Sequence, residues 1–381
     1  MISILFTFAA LVVCISQVTA GPNPIISPPP VGTFGHTAAL YDNTVFIQGG
    51  STTKGTFSDA SYAITLDKDG SLNNATWLDN SKLIAFSPRK FGAAVATDNS
   101  MIICGTQDGA QGTGMTCDQL DIIRGKYIVS RTSPPKVSNR YGIAATSDGI
   151  KAYFIGGSNA TKRDTRTVDI VTMKTSNSST SSSQEWSEGP DMSGILPRKF
   201  HTATWVDAPL NGMVMMGGRA DDIVTLSLSP VAVYDSVASK WTSVNLTFVN
   251  TTETFGYGHS AVNDGNGNIF VFGGFDRNDA VRKDLLFLDT KQPKEKWSLQ
   301  FLSKAPQGRA FHTATLLPDK TMLIMWGMSI NSSGTRCIKF CGHPNTDLWN
   351  QHILRSKWSH LQYGPVYIYV VRYPAQCLAY Q

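Results

Sequence analysis

Asn268-Ile269-Phe270-Val271-Phe272-Gly273-Gly274 is a short, almost continuously apolar run closed by two glycines. Variants of it are Asn43-Thr44-Val45-Phe46-Ile47-Gln48-Gly49-Gly50, Ser100-Met101-Ile102-Ile103-Cys104-Gly105, Lys151-Ala152-Tyr153-Phe154-Ile155-Gly156-Gly157, Gly212-Met213-Val214-Met215-Met216-Gly217-Gly218 and Thr321-Met322-Leu323-Ile324-Met325-Trp326-Gly327. A run of this length, apolar at every position, predicts a strand covered on both faces. The glycines that end it permit positive φ and close backbone approach. The closing residues fall at 50, 105, 157, 218, 274 and 327. That step, roughly 50 to 60 residues with no capped helical segment inside it, predicts a propeller rather than a helical solenoid.

Working outward, each run is preceded by an alternating, small-residued strand, as in His36-Thr37-Ala38-Ala39-Leu40, His201-Thr202-Ala203-Thr204-Trp205, His259-Ser260-Ala261-Val262 and His312-Thr313-Ala314-Thr315-Leu316. Small side chains suit the narrow inner end of a wedge. Each run is followed by a third strand with an apolar stripe, such as Leu286 and Leu288, and by an outer strand ending near Trp77, Trp186, Trp241, Trp297 or Trp358. Those indoles are expected to seal one unit against the next.

These features resemble the kelch-repeat β-propeller family, above all in Arg198-Lys199-Phe200-His201 and Arg309-Ala310-Phe311-His312, each leading to a glycine-closed run. The resemblance covers residues 32–361. It implies an all-β, six-bladed propeller of four antiparallel strands per blade, with seven blades as the alternative. The pairs Gly49-Gly50, Gly156-Gly157, Gly217-Gly218 and Gly273-Gly274 follow the family pattern, whereas Cys104-Gly105 and Trp326-Gly327 depart from it. The resemblance extends distantly to the central domain of galactose oxidase, a copper radical enzyme.

With 381 residues, 41% hydrophobic and 16% charged, one closed propeller uses nearly the whole chain. Residues 1–20 read as a signal peptide, an apolar stretch ending in Val18-Thr19-Ala20, followed by a proline-rich lead-in over 21–31. Residues 362–381 form a tail of unassigned structure, whose apolar run Val366-Tyr367-Ile368-Tyr369-Val370-Val371 is able to add a strand. Six N-x-[ST] acceptors, Asn74, Asn159, Asn177, Asn245, Asn250 and Asn331, fit a secreted or cell-surface glycoprotein. In an oxidising compartment Cys104 with Cys117, and Cys337 with Cys341, are candidate disulfides, leaving Cys377 odd. No membrane span is expected beyond the leader.

Four of the seven histidines, His36, His201, His259 and His312, share one repeat position. Equivalent positions in different blades are expected to lie far apart, each imidazole bonding a neighbouring blade's backbone. No metal site is expected. Arg89, Arg198 and Arg309 stand three residues before that position, with Arg140 close to its equivalent. They predict either a basic central rim or ties to loop carboxylates such as Asp59, Asp222 or Asp284. The net charge of +5 is dispersed, without a basic cluster interleaved with aromatics, and argues against nucleic-acid binding.

No catalytic constellation emerges. Gly-x-Ser-x-Gly is absent, and no Tyr-His dipeptide offers the copper ligands that a galactose oxidase-like enzyme implies, the nearest approach being Tyr257-Gly258-His259. The reading is a non-catalytic binding or adhesion scaffold for an extracellular or cell-wall protein or glycan, with no cofactor. A copper radical oxidase of carbohydrates or alcohols is the alternative. Loops on a rigid scaffold are where binding usually resides. Arg219, Arg277 and Trp349, with the four arginines above, are the candidate contact residues.

Overall fold

The computed structural model describes residues 32–51, 57–72, 75–79, 86, 88–105, 115–123, 126–132, 140–159, 163–174, 183–220, 224–252, 254, 256–304, 308–330, 336–337, 352–355 and 367–370. The leader, the lead-in, Asn74, Asn177, Asn331, Cys341, Trp349, Trp358 and Cys377 lie outside them, as does the side chain of Trp77.

The described chain is all-β apart from one 3₁₀ turn, Lys294–Lys296. It forms five four-stranded sheets, one five-stranded sheet and three two-stranded ribbons. In the first sheet Thr37–Tyr41, Thr44–Gln48, Ser61–Thr65 and Thr76–Asp79 follow one another outward, each antiparallel to the last. The apolar runs become the second strand throughout. Thr44–Gln48, Met101–Gly105, Gly212–Met216, Asn268–Phe272 and Thr321–Met325 are buried at every residue.

Six apolar clusters fill the spaces between sheets. One joins Ile155 and Tyr153 to Met213 and Trp241. Another joins Val214 and Val231 to Ile269 and Trp297. A third joins Val45 and Ile64 of the first sheet to Leu323 and Met325 of the last, so packing returns to its starting point. Trp241 and Trp297 are buried, and half-buried Trp186 lies against the cluster containing Phe154. Each of the three indoles packs its own sheet against the preceding one, as expected of a seal.

Two departures from uniform antiparallel sheets appear. The third strand of the last sheet is Tyr367–Val370, drawn from the C-terminal tail and parallel to Thr321–Met325, with His352–Arg355 outside it. The segment set aside as a tail therefore contributes to the last sheet. In the fifth sheet Thr247–Val249 adds an outer strand parallel to Ser298–Lys304. Cys104 and Cys117 face each other across adjacent strands and form a buried disulfide.

Candidate functional site

The residue preceding each ring-histidine position meets its counterparts at the axis. The amide of Phe91 donates to the carbonyl of Gly35, Gly142 to Phe91, Phe200 to Gly142, Gly258 to Phe200, Phe311 to Gly258, and Gly35 back to Phe311, over 2.7 to 2.9 Å. Glycine and phenylalanine alternate, and all six residues have positive φ. The three phenyl rings fill the axis, with centroids 4.9 to 5.1 Å apart in edge-to-face contact, an arrangement the aromatic quadrupole favours. A Cβ on Gly35, Gly142 or Gly258 would meet the adjacent phenyl ring at 2.6 to 2.9 Å. Three glycines are thus the space that three phenylalanines occupy.

Beneath this plug a cavity of about 110 Å³ is lined by His36, His201, His259 and His312, with Gly92 and Ile143 at the other two repeat positions. The histidines are therefore gathered round one small space, not held far apart. Three of them meet a side-chain hydroxyl of the preceding sheet, and the backbones of Thr33 and Arg309 also act on His36 and His312. Nε2 of His36 lies 2.8 Å from Thr313 Oγ1, that of His259 lies 3.1 Å from Thr202 Oγ1, and that of His312 lies 2.8 Å from Ser260 Oγ. Among the described residues His201 has no partner at either ring nitrogen, because the residue in the corresponding register is Ala144. Burial holds the His36 and His259 pKa values down to about 3 and pushes those of His201 and His312 well below the usual range. Arg198, Arg282 and Arg309 lower His201, His259 and His312 further.

The four arginines do not form a solvent-facing rim. Arg89 and Arg140 are about as buried as the core leucines, at 1% and 0% exposure, and Arg198 and Arg309 are buried too. Arg140, Arg198 and Arg309 each donate to the carbonyl of the first doublet residue in their own sheet, Gly156, Gly217 and Trp326, over 2.8 to 3.0 Å. Thr33 does the same for Gly49. A carbonyl turned inward at the end of a buried strand needs such a donor. Arg89 pairs with Asp118 at 2.7 Å and Arg140 with Asp169, both carboxylates being on the third strand of the same sheet. Asp284 is engaged by Arg282 instead, and Asp59 is exposed. Desolvation lowers the Arg198 pKa to about 10 and also lowers that of Arg140, where Asp169 opposes the shift. The sequence signal for the true partners was the acid at the start of the third strand, Cys117-Asp118 and Val168-Asp169.

The upper face, where the doublets and the plug lie together, carries a second layer of charge on aromatic rings. Lys90 Nζ sits 4.7 Å from the Phe57 centroid and 5.7 Å from that of Phe91. Arg219 lies 4.8 Å over Tyr257, whose hydroxyl donates to Asp279. Lys199 is buried over Tyr141, with Asp164 at 3.8 Å. Arg277 is exposed on the loop between Phe275 and Val281. Of the sequence candidates, Arg219 and Arg277 belong to this face, while the other four arginines lie beneath it.

A family model described as Attractin/LZTR1 beta-propeller matches residues 16–286 and 119–381. The chain belongs to that family. This family member is also similar to the solved structure titled "Structure of YjhT", a kelch-type propeller, with a TM-score of 0.58 at 15% identity over 81% of this chain and 94% of that one. At that identity the likeness speaks for the fold alone. No curated protein matches the sequence significantly.

The four ring histidines come from four different sheets, and the Tyr257 hydroxyl lies against Asp279 and Arg219. Among the described residues no group of three His, Cys, Asp or Glu side chains could hold a metal ion. Among them, too, no helix is long and apolar enough to cross a membrane.

Proposed function

We propose that this protein is a secreted or cell-surface, non-catalytic scaffold, a six-bladed propeller whose doublet face binds a protein partner. The single observation that carries the reading is the plugged axis. Six sheets tied through one ring of backbone hydrogen bonds make a rigid disc with a closed upper surface. Around that plug Arg219 lies on the Tyr257 ring, a pair of residue types enriched at the centres of protein interfaces, and Lys90 lies on the Phe57 ring. Counting the five four-stranded sheets and the five-stranded one as blades gives the number six. The leader-like N-terminus, the buried Cys104–Cys117 disulfide and the exposed acceptors Asn245 and Asn250 support an extracellular setting.

The test is a binding screen of the purified glycoprotein against extracellular proteins, with cell-wall and glycan arrays in parallel. The expected hit is a protein, lost in the double variant Lys90→Glu/Arg219→Glu. It is retained in Val237→Glu, a change in an exposed outer turn. A glycan hit, or a protein hit indifferent to the double variant, overturns the reading.

A further inference from the structure

Two Asn-Gly dipeptides occur in the chain, Asn211-Gly212 and Asn266-Gly267. Asparagine is chemically labile, and a following glycine exposes it most, because a residue without Cβ lets its own backbone nitrogen close on the asparagine Cγ. The dipeptide is the same in both places. Only the surrounding structure distinguishes them.

Asn266 lies in the tight turn between Ser260–Asn263 and Asn268–Phe272, and its side chain is exposed. Among the described residues that side chain makes no hydrogen bond. The turn is otherwise fully tied. The Asp264 amide donates to the Asn268 carbonyl, Gly265 to Asn263 Oδ1, and both Asn266 and Asn268 to Asp264 Oδ1. The Gly267 carbonyl accepts the amide and the hydroxyl of Thr290 at 2.9 and 2.8 Å. Within residues 264–268 the Gly267 amide is the one that donates to no described residue. This residue has φ of +77°, a conformation glycine enters freely. Two cationic side chains flank the turn. Lys320 donates to the Asp264 carbonyl at 3.0 Å, and the Lys291 stem packs at Gly267, 2.9 Å from where a Cβ would stand. Positive charge on both sides favours an amide nitrogen that has lost its proton, and the carboxylate that follows.

Asn211-Gly212 has the opposite surroundings. Gly212 is buried inside the fourth sheet, in register with Val206 on one side and Asp235 on the other. The Asn211 amide donates to the Asp207 carbonyl, and its own carbonyl accepts the Ser236 amide, each over 3.1 Å. Ring closure there requires the ladder to open first.

From a free side-chain amide beside an uncommitted glycine nitrogen, we propose that Asn266 is a self-modifying site, at which the protein converts an amide to a carboxylate without an enzyme. The Gly267 nitrogen gives up its proton and bonds to Asn266 Cγ. The Cγ–Nδ2 bond breaks, and ammonia leaves with that proton. Water then opens the cyclic imide. Cleavage of the bond from Gly267 nitrogen to Cγ yields aspartate, and cleavage at the main-chain carbonyl yields isoaspartate. The balance is one water in and one ammonia out, with no oxidant or reductant. Each event removes one unit from the net charge of +5. Isoaspartate also lengthens the main chain inside a turn whose ends are fixed by Asp264, Asn268 and Thr290.

The intact protein incubated in heavy-oxygen water at mildly alkaline pH, then mapped by peptide mass spectrometry that separates aspartate from isoaspartate, tests this. Asn266 should take up the label and give both products, while Asn211 converts about tenfold more slowly or worse. In concentrated urea the two rates should converge, since only the shared dipeptide remains. Asn266→Gln, which needs a larger ring, should abolish the change in its peptide, with circular dichroism and melting confirming the fold. Asn266 left intact, equal rates in the folded protein, a gap that persists in urea, or aspartate without isoaspartate would each overturn the proposal. None of these results bears on the doublet face.

Discussion

The amide of Phe91 donates to the Gly35 carbonyl at 2.7 Å, and its phenyl ring fills the space a Gly35 side chain would enter, 2.6 Å from where a Cβ would stand. Gly35 also has φ of +64°. Gly35→Ala therefore combines left-handed strain with a clash against a ring fixed by two other rings. It should cost about 2 kcal/mol or more. Gly194→Ala, with φ of +83° and no atom within 4 Å of the added Cβ, isolates the backbone part. Its cost should be about 1 kcal/mol. Denaturant melts of both variants check the difference; equal losses would mean the plug tolerates a methyl group.

His201 lacks the hydroxyl that His36, His259 and His312 each possess. Ala144→Thr restores it at the matching register, and should raise stability by up to about 1 kcal/mol. The same substitution in a His201→Phe background should give no gain, because the acceptor is gone. A gain that persists there would assign the effect to packing.

Stability should fall as pH drops below the ordinary histidine range. The folded pKa values of the four ring histidines are lowered, to about 3 for His36 and His259 and well below 6.5 for His201 and His312. The unfolded chain therefore takes up protons first. The stabilisation from keeping these rings neutral is complete above pH 6.5 and is lost progressively toward the folded values. Each histidine contributes a slope of up to about 1.4 kcal/mol per pH unit in that window. Urea midpoints at pH 7.5, 6.0 and 5.0 should decline steeply, before carboxylates begin to titrate. A flat profile to pH 5.0 would contradict the buried ring.

Removing one member of the Arg140–Asp169 pair leaves a charge in a site with no solvent, both side chains being 0% exposed. Asp169→Ala or Arg140→Met should cost about 3 to 5 kcal/mol, while the double change Arg140→Met/Asp169→Leu should recover much of that loss. Thermal denaturation of the three variants decides it. If the double variant is as unstable as the worse single one, the arginine's bond to the Gly156 carbonyl matters more than its charge partner.

Cys104 and Cys117 close a loop with a sequence separation of 13. Their replacement by Ala at both positions should lower stability by about 2 to 3 kcal/mol through the freed unfolded chain. A melt of the double variant beside the oxidised parent reads this directly. Reduction without unfolding and no change in midpoint would show that the second sheet holds without its staple.

What could be read without coordinates was whatever the chain writes locally. Gly273-Gly274 after Ile269–Phe272, or His312-Thr313-Ala314 before Met322–Met325, announces a covered strand and its narrow neighbour through a handful of adjacent residues. Period and strand type follow from such runs alone. The functions of Arg89 and Arg140 were not legible, because their carboxylates, Asp118 and Asp169, lie 29 residues further along the chain in each case. Only the folded sheet brings them into contact. The apolar run of the tail offers a strand, but its place was hidden for a related reason: Tyr367–Val370 enters parallel to Thr321–Met325, and nothing in an apolar run states the direction of its neighbour.

Neighbouring residues suffice to make this protein a repeat of small radial sheets, since glycine doublets, alternating inner strands and buried second strands are all written in short stretches of chain. Tertiary structure alone decided what stands at the centre. Gly35, Phe91, Gly142, Phe200, Gly258 and Phe311 are separated by whole repeats, and their alternation acquires meaning only when the ring closes and three side chains must share one axis.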